Sequence, residues 1–322
     1  MLKITADTFS GRENPQWVVE GKEAQTVLKE LALARGAFAD AESGSQELGF
    51  RGLIVEPLSD NLAAEYGVPS SFRVAGGNFG GNTHTKDLEV AERLIKGMLK
   101  GTPVSLAAET AEPFDKELQK FLLDQLTSVS QSTLTVETGG AAVAAASGEA
   151  EEVEASDEGS AKGAKAVAAA SCAIEVTTFN PGFWNLPAHI GRNNCYNYAS
   201  NRRTDTFAQP GRASGQMYSA LTCAQVGPAA VRDGARAHPN CAPASESPRW
   251  YMALVIAPGP GVRDYHWYRK CREGFWGHKP GGTAARNTDN SGHIITDPRT
   301  ANRGPYTIFC GFYYAQRRMV VR

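Results

Sequence analysis

One stretch limits what this chain can fold into more than any other feature. From Thr138 to Ser171 it reads TGGAAVAAASGEAEEVEASDEGSAKGAKAVAAAS, with no aromatic residue and no aliphatic larger than Val. Such a segment cannot bury enough apolar surface to offset its ordering entropy, so about 129–171 reads as a disordered acidic linker. A chain of 322 residues broken there becomes two folded regions, 1–128 and 172–322. Their chemistry differs. Residues 1–171 carry 15 Lys and Arg against 26 Asp and Glu, a net of −11, while residues 172–322 carry 18 against 8, a net of +10. Sixteen of those eighteen cations are Arg, and all six cysteines and four of the five tryptophans lie in the same half. The split predicts that the acidic half contacts the basic half within one molecule.

The first region reads as a small α+β domain of unknown role. A strand is expected at 16–20, and GKEAQTVLKELALA (21–34) spaces Ala24, Val27, Leu28 and Leu31 as one helical face. A buried strand is expected over 50–55, ended by Pro57. Residues 86–99 place Leu88, Val90, Ala91, Leu94, Ile95 and Met98 mostly on one face of a helix, and a further helix follows Pro113 over 113–127. The Gly-rich stretch 74–85 has neither a G-x-G-x-x-G spacing nor a Gly-Lys-Ser/Thr ending. It reads as a turn, with His84 a loop residue, and not as a phosphate cradle.

In the second region Asn194 is placed to cap a short helix from Cys195 to about Asn201. Further helices are expected at 214–225 and 228–237. WYMALVIA (250–257) is nearly continuous in apolar residues, as a strand buried on both faces would be. Strands at 265–270 and 273–278 follow, then one at 306–314, making an antiparallel sheet.

A thiol at a helix start meets the positive end of the helix dipole and unpaired backbone N–H groups, which favour thiolate and could serve an oxyanion. A nucleophilic Cys needs a base, and the base an orienting partner. His266 and His278, twelve residues apart around a turn near 272–274, fall at roughly opposite places on neighbouring strands. The order of Cys at a helix start, a buried strand, a His-bearing strand and a polar residue on the next strand resembles the papain-like cysteine hydrolases of the NlpC/P60 and CHAP superfamily. NCYNYA is similar to the CHAP pattern through Tyr198 and Ala199, and the spaced pair of histidines resembles that of NlpC/P60, over about 180–285. The resemblance implies a papain-like C-terminal domain and a hydrolase or acyltransferase acting on a peptide or other amide or ester carbonyl. In that reading Cys195 attacks, His266 is the base and His278 orients it. Asn194 caps the helix or donates to the oxyanion, Asp289 and Asp297 are alternative orienters, and no cofactor is called for.

Six cysteines could form three disulfides, which would make Cys195 structural. The N-terminus MLKITADTFSGRENP lacks the apolar stretch of a secretory signal, so reduced thiols and a cytoplasmic location are expected unless export leaves no N-terminal mark. No run approaches the ~18–20 apolar residues of a membrane span. His266 and Cys271, five apart on one strand, face opposite ways, so no metal site is expected. Two other classes compete with the enzyme. One is a binder of anionic partners such as RNA or single-stranded DNA through interleaved Arg and aromatic residues. The other is a structural or interaction protein.

Overall fold

The structure, a computed structural model, describes residues 1–33, 39–40, 47–76, 85–104, 115–138 and 172–322. Its class is α+β, with two antiparallel sheets. The first is built from β1 (Leu2–Ala6), β2 (Gln16–Val19), β3 (Ala39–Asp40), β4 (Leu53–Pro57), β5 (Phe72–Val74) and β6 (Thr102–Pro103), in the order β3-β5-β4-β1-β2-β6. Strand β1 alternates: Leu2, Ile4 and Ala6 are buried in the core on one face, leaving Lys3 and Thr5 for the other. Helices α1 (Gly21–Leu33), α3 (Thr85–Gly97) and α4 (Lys116–Thr138) cover the first face, contributing Leu28, Leu31, Leu94, Ile95 and Leu122 to that core. A shorter helix, α2 (Asp60–Tyr66), ends at Gly67, whose φ of +63° suits the left-handed cap that returns its N–H to Ala63 and Ala64.

Helix α4 runs ten residues past the boundary expected at 128, and Leu118, Leu122 and Leu126, at helical spacing, bury one face of its first part. The rest of the expected linker (139–171) and most of the Gly-rich stretch, His84 included, lie outside the described residues.

Residues 172–322 contain α5 (Pro181–Trp184), α6 (Pro187–Ile190), α7 (Cys195–Ala199), α8 (Cys223–Arg232), β7 (Ala235–Ala237), β8 (Trp250–Pro258), β9 (Arg263–Lys270), β10 (Trp276–His278) and β11 (Ile308–Ala315). The strands form one sheet, β10-β9-β8-β11-β7. The apolar run of β8 is explained by burial on both sides. Met252, Leu254 and Ile256 pack with α7 and α8, while Ala253, Val255 and Ala257 enter a second core with Tyr268 and Tyr306. The expected helix over 214–225 is absent; that segment is turn and bend, tied by Ser214 and Gly211 amides to the Asp233 carboxylate, and helix starts only at Cys223.

The second core also takes Phe9 and Leu48 from the first third of the chain. Disulfides Cys172–Cys241 and Cys223–Cys310 correct the expectation of reduced thiols; the second bonds the start of α8 to β11. Cys195 and Cys271 are free and buried. No helix among the described residues is long and apolar enough to cross a membrane.

Candidate functional site

Asn194 folds as expected of a cap. Its Oδ1 accepts from the amides of Tyr196 and Asn197 at 3.0 and 3.1 Å, and the Asn194 backbone N–H donates to the Asn197 side-chain oxygen at 3.1 Å. Its Nδ2 donates to the carbonyls of Gly11 and Ala208, so both amide protons are used and none is left for an oxyanion. Cys195 opens α7 with no exposed surface. Burial pushes its thiol well above the ordinary cysteine range, with the Asp264 carboxylate adding to the effect, the reverse of the shift expected for a nucleophile. Its Sγ lies 4.0 Å from the Tyr265 carbonyl, and it shares a core with Tyr265 and Trp267.

Strand geometry then separates the expected partners. Tyr265 and Trp267 point to the Cys195 side of β9, so His266 points to the opposite side, against Tyr268 and Tyr306 at ring distances of 4.8 and 5.7 Å. The structure does not bring Cys195 and His266 together. It does bring the histidines together. His278 pairs with Tyr268, one same-face position from His266, and His266 Nε2 lies 2.8 Å from His278 Nδ1. His278 Nε2 in turn lies 2.9 Å from the Thr288 carbonyl and 3.2 Å from the Arg286 Nε–H, while His266 Nδ1 is buried without a hydrogen-bond partner. Burial depresses both imidazoles well below their usual range, helped on His278 by the Arg286 charge and on His266 by His278 itself and Arg286, so the pair is neutral.

Neither alternative orienter is bonded to His266 or His278. Asp289 closes a turn, accepting from the amides of Ser291, His293 and Asn302 at 2.9–3.0 Å. Asp297 is bonded to the guanidinium and amide of Arg299. In both cases the carboxylate serves the local backbone.

The residue that joins the two halves is one that sequence reasoning missed. Asp264 is fully buried and accepts from the amides of Ser10, Gly11 and Arg12 at 2.5, 3.0 and 3.2 Å and from the Tyr306 hydroxyl at 2.6 Å. Burial raises its carboxyl, against the pull of Arg12 and these donors. Tyr265 and Gln209 donate to the Gly11 carbonyl at 2.9 and 2.7 Å, so the β1–β2 loop is held from both sides. At Asp264 the join thus has the opposite polarity to the net charges: the carboxylate comes from the basic half, and the three amides and the Arg12 charge from the acidic half. An exposed Arg263–Glu117 pair at 2.8 Å has the expected sense.

Between the halves lies a cleft of about 730 Å³. One wall is the outer face of the first sheet, where Gln16, Thr5, Ile54 and Arg73 stand in register across β2, β1, β4 and β5. Asp7 is at its base; burial alone would raise this carboxyl, but the guanidiniums of Arg51 and Arg73 hold it at about 2. The facing wall comprises 187–192, 205–207 and 282–283. It is fixed by Lys279, whose buried Nζ donates to the carbonyls of Ile190 and Asn193 at 2.6 Å and of Gly281 at 2.9 Å, burial holding this ammonium down to about 7. Asp205, at φ +57°, is bonded by His189 Nδ1 at 2.8 Å and Asn193 Nδ2 at 2.6 Å; although burial opposes it, these bonds hold its carboxyl below the ordinary range. Nothing in the spacing of His189 and Asp205 marked them. Among the described residues no group of three His, Cys, Asp or Glu is placed to hold a metal ion.

No protein-family model matches the chain, and no solved structure does. Among curated proteins, "Insoluble matrix shell protein 1" of Ruditapes philippinarum is 48% identical over 136 residues, covering 42% of this chain and 88% of that protein. A relative named for an insoluble shell matrix overturns the expectations of a thiol protease and of a cytoplasmic location. The buried, base-free Cys195 and the two disulfides point the same way. Identity at that level across nearly all of the relative means that the chain belongs to the family of insoluble matrix shell protein 1.

Proposed function

We propose that this chain is a structural component of an insoluble extracellular matrix, holding its place by surface contacts and not by turning over a substrate. The observation that carries this reading is its 48% identity to insoluble matrix shell protein 1. Three features support it. The two disulfides suit an oxidising environment. The residues that would form a Cys-His-His triad lie on opposite sides of β9. Exposed Arg272, Arg317, Arg318 and Arg322 give the second half a basic surface suited to anionic matrix polymers. The sequential likeness to papain-like domains, a Cys-bearing helix followed by an antiparallel sheet with His, is kept in this proposal as one of arrangement, without the reaction. Antibodies against the purified chain should detect it in the acid-insoluble residue of the source organism's matrix, retained through a high-salt wash. Recovery only from the soluble cell extract would contradict the reading.

A further inference from the structure

We infer that the cleft between the first sheet and the facing loops of the second half is a binding site for a neutral saccharide. The inference rests on the cleft alone and stands apart from the matrix reading. At about 730 Å³ the cleft falls within the ~300–1,000 Å³ of small-ligand sites, and both walls are pre-set: one by the register of four strands, the other by Lys279 on three carbonyls.

Three of the carboxylates in and around it already have partners within the protein. Asp7 is bonded to Arg51 and Arg73, Glu56 to Lys3 at 2.7 Å, and Asp205 to His189 at 2.8 Å. Glu13 and Arg192, of opposite sign, complete the charged lining. A strongly ionic ligand of either sign would meet charges of its own sign here, whereas a neutral polyol would not. Paired carboxylates keep free lone pairs that accept from hydroxyls, and Arg192 is a donor on the facing wall. Gln16 Oε1 is buried in this wall with no hydrogen-bond partner, an acceptor whose desolvation an incoming hydroxyl would offset.

The apolar lining completes the match. Ile54 on one side and Phe207 on the other give C–H and ring surfaces among the polar groups. A pyranose has the same division, hydroxyls around its rim and C–H groups on its faces, and a ring face attracts such C–H groups electrostatically. Phe207 is held at φ +49°, an unusual conformation for a bulky residue, by a 2.8 Å bond from its amide to the Arg192 carbonyl.

The test is calorimetric titration of the full chain, disulfides intact, with two neutral probes, cellohexaose and the hexamer of N-acetylglucosamine, and with a heparin hexasaccharide and calcium chloride as charged arms. Saturable one-to-one binding of at least one neutral probe is expected, weakened about tenfold or more by Gln16→Leu and by Arg192→Ala. Arg192 is exposed, so its substitution leaves the fold intact, and Arg272→Ala in the β9–β10 turn should change nothing. Three results would each overturn the inference: no neutral binding up to about 10 mM, binding of the charged arms alone, or neutral binding that both cleft substitutions leave untouched.

Discussion

Replacing Asp264 by Ala should damage the fold severely. Four donors converge on this carboxylate: the amides of Ser10, Gly11 and Arg12 and the Tyr306 hydroxyl, at 2.5–3.2 Å. Each buried donor left without an acceptor costs about 1–3 kcal/mol. Water entering the vacated space recovers part of this, so a loss of about 4 kcal/mol is expected, a large share of the ~5–15 kcal/mol by which domains are stable. Asp264→Asn keeps the volume and one acceptor oxygen and should lose about 2 kcal/mol. The assay is urea unfolding of the full, oxidised chain, followed by tryptophan fluorescence and by far-UV circular dichroism. Trp17 reports the first sheet and Trp267 and Trp276 the second. Because the loop that Asp264 holds also places Phe9 in the second core, the wild type should unfold with coincident probes, and Asp264→Ala should separate them. A loss under about 1 kcal/mol, or probes that already disagree in the wild type, would refute the reasoning.

Acid should destabilise the chain through His266 and His278. Their folded pKa values lie well below the ordinary 6.5, so the unfolded chain binds protons first; stability is full above about 6.5 and falls as pH drops towards the folded values. Each histidine contributes up to about 1.4 kcal/mol per pH unit, and His266→Phe should remove about half the combined slope in urea midpoints between about pH 7.5 and pH 5. An unchanged slope would show that the pair is not neutral in the fold. Joint replacement of Cys223 and Cys310 by Ala opens a bridge spanning 87 residues and should cost about 4–5 kcal/mol on the chain-entropy account, read as a lower urea midpoint. Gly11→Ala would put a Cβ 2.5 Å from the Tyr265 ring, whose hydroxyl is itself bonded to Gly11, and should cost about 1–3 kcal/mol in the same assay.

Local physics made much of the fold legible. The face formed by Ala24, Val27, Leu28 and Leu31 is that of α1, the pattern from Val90 to Ile95 that of α3, and WYMALVIA is β8 because both of its faces are covered. Asn194 announced its cap by residue type and position. The short β1 escaped notice, since five residues alternating Leu, Ile and Ala give too weak a period to stand out. What could not be read were relations set by the tertiary fold. Whether a thiol on α7 meets His266 or Tyr265 depends on which face of β9 the helix covers, and no spacing along the chain records that. Asp264 sat beside Arg263 in an Arg-rich strand, and the amides it binds lie 252–254 residues away. The cleft is likewise assembled from strands of one half and loops of the other.

Thiol reactivity of the native chain, resolved by site with mass spectrometry, tests the central claim that this is a structural protein and not a thiol enzyme. With Cys195 buried, its thiol pushed up and His266 on the other side of β9, alkylation at neutral pH should be no faster there than at the other free thiol, Cys271, and both should wait for unfolding by urea. Rapid alkylation of Cys195 in the folded chain, abolished by His266→Ala, would contradict it.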